Sequence, residues 1–211
     1  MAFSLNGTSS YIDAASTPIT VAPFTMACWF NPLSATAGGV LMAIGNSAGT
    51  DRFQLAANGD QANDPITFFA QQGASTATAS ATGYVLNTWQ HAAAVCSGNL
   101  SRSIFRNGAQ KNTNTTSIIP ASLNSIVMGA RWSGGARGSF FNGRIAEAAV
   151  WNIALTDDEV ISLSKGFAPY LIRPSNLRFY NRCLRTPQDL SQGRTLAQVA
   201  ITNFDHPRIY G

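Results

Sequence analysis

Runs of five to eight β-branched, aromatic and small residues recur along the chain, each closed by Asn, Gly, Pro or Ser before the next begins. That rhythm predicts strands rather than helices. They are expected at residues 3–12, 24–31, 40–44, 52–56, 65–71, 75–81, 91–96, 101–107, 125–130 and 140–151. About ten strands of this length imply two stacked sheets. Within Ala-Ser-Thr-Ala-Thr-Ala-Ser-Ala-Thr at 74–82, Ala alternates with Ser or Thr. Its period of two predicts a thin strand with an Ala face inward.

Asn-Gly pairs begin at Asn6, Asn58, Asn107 and Asn142, and both residues of such a pair tolerate the positive φ of a type I′ turn. Asn107-Gly108 should tip a hairpin whose polar second arm, residues 109–116, forms an outward-facing edge. One helix is specified by Thr156-Asp157-Asp158-Glu159. Thr caps it, the acids favour its positive end, and Glu159 reaches back. Leu155 and Val160 make the hydrophobic staple, and Lys165-Gly166 supplies the stop.

The chain has 211 residues, 45% of them apolar and 11% charged, which fits one or two domains with a sizeable core. No run approaches the roughly 20 apolar residues of a membrane span, and the start lacks the basic and apolar regions of a secretory signal. Neither a membrane nor the secretory pathway is expected. Carboxylates are scarce, with Glu147, Glu159 and eight Asp, so acid-base catalysis is disfavoured and no enzyme is expected. Cys28 and Cys96 sit in apolar runs and Cys183 makes the number odd. A disulfide framework is therefore not expected, although one Cys28–Cys96 bridge stays open. The absence of clustered Cys and His removes zinc.

Charge is uneven along the chain. Residues 1–160 carry seven basic and eight acidic side chains, and 161–211 carry seven and two. Twelve of the fourteen basic residues are Arg, suited to bidentate contact with carboxylate or phosphate. After Gly166 the chain reads Pro-Tyr-Leu-Ile-Arg-Pro-Ser-Asn-Leu-Arg-Phe-Tyr from 169, a pattern of prolines, aliphatics, aromatics and arginines. Residues 1–165 are expected as a domain and 166–211 as a basic extended arm. Leu177, Phe179 and Leu184 need burial against the sandwich or a neighbouring subunit, and the last residues, Asp205 to Gly211, form another edge segment.

Four stretches carry a family resemblance in chain order: Ser-Leu-Asn-Gly-Thr-Ser-Ser-Tyr-Ile at 4–12, Phe-Thr-Met-Ala-Cys-Trp-Phe at 24–30, Asn-Thr-Trp-Gln-His-Ala-Ala-Ala-Val at 87–95, and the strand-to-helix run at 140–160. Together they resemble the laminin-G-like, concanavalin A-like jelly roll over about residues 3–165. The resemblance implies an all-β, two-sheet antiparallel sandwich with one short helix and the extended C-terminal arm. It also implies that the Trp89 indole fills the sandwich and that the His91 imidazole hydrogen-bonds locally. The tail elements Leu-Ile-Arg-Pro, Leu-x-Phe-Tyr, Asp-Leu-Ser-x-Gly and Asp-His-Pro-Arg-Ile-Tyr are similar to those of virion proteins of tailed bacteriophages. They imply a protein folded in the host bacterial cytoplasm and carried in the virion. Its expected role is capsid decoration on the major capsid protein or another virion protein, with a homo-oligomer as a further partner. The alternative is a lectin-like module for host-surface glycans. Many relatives read Ile-Asp-Glu-Val where this chain has Ile145-Ala146-Glu147-Ala148, which removes one acid from a family-type calcium site.

The loop Arg131 to Ser139 is the expected contact site, with Trp132 exposed between Arg131 and Arg137. In the tail, Arg173, Arg178, Arg182, Arg185, Arg194 and Arg208 are expected to pair with acids of the sandwich or a neighbouring subunit. No nucleic-acid recognition module accompanies them. Asp60 and Asp64, in an oxygen-rich loop, are the candidate ligands for Ca²⁺. Gly45-Asn46-Ser47-Ala48-Gly49 fits the hydrolase motif Gly-x-Ser-x-Gly, yet a strand-like run follows where that motif requires a helix. The Glu-x-Asp-x-x-Glu strand of glycosidases with this fold is absent.

Overall fold

The structure, a computed structural model, describes residues 1–81, 83–184 and 187–205. The elements run β1 (Ala2–Asn6), β2 (Tyr11–Ala14), β3 (Phe24–Pro32), β4 (Gly38–Gly45), β5 (Asp51–Asn58), β6 (Ile66–Gln72), β7 (Ser75–Ala81), β8 (Gln90–Gly98) and β9 (Ser101–Arg106). They continue with β10 (Ala109–Asn114), β11 (Ser125–Met128), β12 (Arg131–Ser133), β13 (Ala136–Gly138), β14 (Asn142–Trp151), α1 (Asp157–Ser164), β15 (Leu177–Asn181), β16 (Ala197–Val199) and β17 (Thr202–Phe204). Two antiparallel sheets form the sandwich. One is ordered β10-β9-β8-β3-β14-β1-β17, with β15 also on β14, and the other β16-β2-β11-β4-β5-β6-β7. The ribbon β12-β13 stands apart from both.

The expected strand at 3–12 is two strands in different sheets, because Asn6 ends the first. Its Oδ1 accepts from the backbone N–H of Thr8 and Ser9 at 2.9 Å and of Ser10 at 3.1 Å, which bends the chain across the sandwich. Of the four Asn-Gly pairs, Asn107-Gly108 has both residues at positive φ, 53° and 69°, between β9 and β10. Asn142-Gly143 lies inside β14 instead, and Asn58 ends β5. β10 is the polar, exposed edge that the pattern predicts. β7 turns Ala77, Ala79 and Ala81 inward while its Ser and Thr alternate outward.

Between the sheets, Phe24, Phe53 and Phe68 meet with ring centroids 4.6 to 6.2 Å apart. A second apolar cluster covers the opposite face of the eight-stranded sheet, where Ala27, Ala93 and Ala149 leave room for Val160 and Leu163 of α1. Small side chains on β3, β8 and β14 therefore let the helix sit close. The capping box forms as expected: Thr156 Oγ1 accepts from Glu159 N–H at 3.3 Å, and Glu159 Oε2 accepts from Thr156 N–H at 2.9 Å. Gly166, at φ 93°, ends the helix, with Phe167 N–H donating back to Ser162 O at 3.2 Å.

The segment expected as an extended arm is laid onto the sandwich. β15 pairs with β14, β16 with β2 and β17 with β1, so it adds strands to both sheets. Leu177 and Phe179 are buried as their apolarity requires. Of the terminal edge expectation, Asp205 is described, whereas residues 206–211, with Arg208, lie outside the described residues. Cys28, Cys96 and Cys183 are buried free thiols. On the paired strands Cys28 stands opposite Ala92 and Cys96 opposite Phe24, which leaves the open Cys28–Cys96 bridge unformed.

Candidate functional site

α1 packs on the outer face of the eight-stranded sheet, and the seven-stranded sheet forms the other side of the sandwich. Strand alternation puts Arg52, Gln54 and Asn58 of β5 and Thr67, Phe69 and Gln71 of β6 on the outer face of the seven-stranded sheet, since their neighbours Phe53, Leu55, Ile66 and Phe68 enter the core. A cavity of about 220 Å³ opens here, lined by Arg52, Gln54, Asn58, Asp60, Phe69 and Arg131. Half-buried Phe69 forms an aromatic surface, with the Arg52 Cζ 4.8 Å from its ring centroid.

Arg52 is 9% exposed. Its Nε donates to Gln54 Oε1 at 3.1 Å, and Nη1 donates to Gly49 O at 2.9 Å and to Gln71 Oε1. Arg131, at the start of β12, donates through Nε to Ser139 Oγ and through Nη1 to Trp132 O, both at 3.1 Å. Burial, and then the charge of Arg131, bring the Arg52 pKa down to about 10. Burial lowers that of Arg131 as well.

Trp132 and Arg137 face each other across the β12–β13 ribbon. The expected exposed Trp is half-buried: Arg137 Cζ lies 3.3 Å from its ring centroid, and its Nε1 is buried. Cross-strand pairing places the guanidinium over the indole. Arg137 also forms an ion pair with Asp13 and lies 5.1 Å from the Tyr11 ring centroid. A second cavity, about 250 Å³, is bordered by Asp13, Ser47, Asn124, Trp132 and Arg137.

Among the described residues, the tail arginines take separate partners. Arg173 pairs with Glu159 of the helix, and Arg194 pairs with buried Asp189 at 2.7 Å. Arg178 donates to the backbone oxygen of Ser175 at 3.0 Å, and Arg182 is exposed. Arg185 lies outside the described residues. Asp60 and Asp64 both act on the Tyr84 hydroxyl, whose pKa burial and then these two carboxylates raise to about 12. Among the described residues no three Asp, Glu, His or Cys side chains group closely enough to hold a metal.

Gly45 to Gly49 leads from β4 into the β4–β5 turn, and strand β5 follows. Ser47 is therefore not presented by a helix as in a hydrolase. Trp89 is half-buried just before β8 rather than filling the sandwich; Gln90 takes the interior position and bonds both the N–H and the C=O of Val85. The expected local hydrogen bond of the His91 imidazole is not made at Nδ1, which has no partner among the described residues; the backbone N–H of His91 instead donates to Asn107 Oδ1 at 2.8 Å. The pattern reading missed Arg52, Gln54, Asn58 and Phe69. The available signal was Phe69, an aromatic in the outward phase of an otherwise polar strand face.

A sequence profile described as the concanavalin A-like lectin/glucanases superfamily matches residues 6–161. The chain belongs to this superfamily. Its fold recurs in a putative carbohydrate binding protein from Bacteroides ovatus, with 16% identity and a TM-score of 0.71 over 99% of this chain and 61% of that one. Domain 4 of a Geobacillus stearothermophilus extracellular arabinanase, in complex with arabinotriose, shares 20% identity at a TM-score of 0.63 over 77% of this chain and 76% of its own. The CBM40 of the Ruminococcus gnavus IT-sialidase, bound to alpha2,3 sialyllactose, shares 18% at a TM-score of 0.60 over 69% and 84%. No curated protein sequence matches the chain. For this lectin-like sandwich the likenesses establish the fold, and its chemistry is argued from its own residues.

Proposed function

We propose that this superfamily member is a carbohydrate-binding module that holds a saccharide on the outer face of its seven-stranded sheet, without catalysing a reaction. The observation that carries this is the cavity lined by the aromatic Phe69 beside the planar polar groups of Gln54, Asn58, Asp60 and Arg131. Sugars present apolar C–H faces rimmed by hydroxyls, and a cavity with an aromatic surface and convergent polar groups matches both. Glu159 is committed to the helix cap and Glu147 to Tyr180, which agrees with binding rather than glycoside hydrolysis. The sugar-bound arabinanase domain and CBM40 support the reading. A glycan array followed by titration calorimetry tests it. Saturable binding that falls at least tenfold in Phe69→Ala, with the thermal midpoint kept, is expected; a blank array with folded protein rejects it.

A second reading, a virion protein that decorates the capsid through the major capsid protein, draws on the tail elements at 169–211 and on the exposed apolar side chains of Phe167, Tyr170 and Leu171 beside them. Co-sedimentation with capsids lacking the protein tests it, and a pellet free of the full-length chain rejects it.

A further inference from the structure

The cavity carries an electrostatic asymmetry that a neutral sugar leaves unused. Four ion pairs form among the described residues: Lys111 with Asp157, Arg137 with Asp13, Arg173 with Glu159 and Arg194 with Asp189. Arg52 and Arg131 belong to none of them. Every acceptor they use is a neutral oxygen, from Gln54, Gln71, Gly49, Ser139 and Trp132. Holding a largely buried guanidinium without a counter-charge costs free energy that an arriving anion recovers.

The geometry leaves each guanidinium a free donor edge. The Nη2 of Arg52 and of Arg131 has no hydrogen-bond partner among the described residues, and neither atom is sealed from solvent. Asp60 lines the same cavity but forms no ion pair with either Arg, and its Oδ1 lies toward Gly38, 3.0 Å from where a β-carbon there would be. On the same face, Arg137 is already neutralised by Asp13. The uncompensated positive charge is thus confined to the Arg52–Arg131 side of the cavity. Burial is the main cause of the lowered Arg52 pKa, and the smaller contribution from the charge of Arg131 agrees with two like charges near one space.

Resting on the carbohydrate-binding reading, we infer that this cavity selects an anionic saccharide, with Arg52 and Arg131 donating to its carboxylate or sulfate while Phe69 and Asp60 meet the neutral part of the ring. The free Nη2 groups can donate charge-assisted hydrogen bonds to either anion, and the surrounding protein strengthens the contact.

The test compares matched probes by titration calorimetry on the full chain: trigalacturonate, its fully methyl-esterified form, and a sulfated galactan trisaccharide beside its desulfated counterpart. At least one anionic probe should bind tenfold or more tighter than its neutral partner and weaken as salt rises from 50 to 500 mM. Which pair shows the preference identifies the anion. In Arg131→Gln the ratio should fall toward one, and Arg131→Lys should restore part of it, both with the thermal midpoint of the parent. Equal affinity within both pairs overturns the anion assignment and leaves the carbohydrate reading standing. Failure of all four probes overturns the assignment, while the glycan array separately decides the broader reading.

Discussion

The Tyr180 hydroxyl donates a hydrogen bond to Oε2 of Glu147, and both residues are buried where β14 exchanges one partner strand for another. Up to Ile145, β14 pairs on this edge with β1; from Ala148 it pairs with β15. Glu147 sits between the two at φ 52°, in a bulge that also shifts the register against β3. The acid that survives in Ile145-Ala146-Glu147-Ala148 thus joins the N-terminal strand to the C-terminal segment.

Burial raises the Glu147 pKa above the ordinary carboxylate value, partly offset by the Tyr180 hydrogen bond and then by the charge of Arg182. The sign follows from linkage. A carboxyl raised in the folded state contributes stability below its unfolded pKa of about 4.5, and that contribution is lost as pH rises through the folded value. Tyr180→Phe removes a donor to the buried anion and should destabilise by about 1–3 kcal/mol, more at pH 8 than at pH 5. Glu147→Gln should flatten that pH dependence. Urea unfolding of both variants at the two pH values measures the effects.

His91 should produce the opposite slope. Its ring is 2% exposed and packs edge-on against Trp29 with centroids 5.5 Å apart, and burial lowers its pKa to about 3. A histidine depressed in the folded state supports stability above its unfolded pKa of 6.5. That support should fall by about 1.4 kcal/mol per pH unit as pH drops below 6.5, until the folded value is reached. Glu147 acts in the other sense above about pH 4.5, so the wild-type slope is the difference. His91→Phe should lose the His component, read from unfolding free energies at half-unit steps from pH 4 to 7.

Ending the chain at Lys165 should unfold it, in contrast to a separable arm. The cut removes Phe179 and Cys183 from between the sheets and Leu177 and Tyr180 from the cluster around α1. It also removes Ile172 O, which accepts from Trp151 Nε1 at 2.7 Å. Loss of one buried aromatic costs about 3–5 kcal/mol, against a total stability of about 5–15 kcal/mol. Near-ultraviolet circular dichroism of the truncated chain should show no fixed aromatic packing; a cooperative melt near that of the full chain would overturn this.

The sandwich was legible because its signals are local. Alternation in β7, the capping box at Thr156 and the turn at Asn107 each need only neighbours in the chain. The cavity face was less legible because it combines strands far apart in sequence: Arg52 and Phe69 share a cavity with Arg131 only after β4, β5 and β6 pair and the β12–β13 ribbon is placed beside them. Trp132 drew attention as an aromatic between arginines, yet cross-strand pairing with Arg137 covers its ring. For the tail arginines the sequence indicated pairing with acids but not which acids: Arg173 meets Glu159 of the helix and Arg194 meets Asp189 of the tail itself.

Gly38 offers a way to block the cavity with little effect on the fold. It lines the cavity at the start of β4, and its φ lies outside the left-handed region that favours glycine. A β-carbon there would meet the ends of two flexible side chains, Asp60 Oδ1 at 3.0 Å and Asn58 Oδ1 at 3.2 Å, rather than backbone. By contrast, one on Gly39 would meet Phe141 Cα at 2.8 Å, so the neighbouring glycine is fixed by packing. Gly38→Leu should therefore fill the cavity, reduce saccharide affinity at least tenfold and change stability by no more than about 1 kcal/mol. Gly39→Leu should instead lower the thermal midpoint sharply. Differential scanning calorimetry paired with binding titration separates the two, and full affinity in a folded Gly38→Leu protein would move the saccharide away from this cavity.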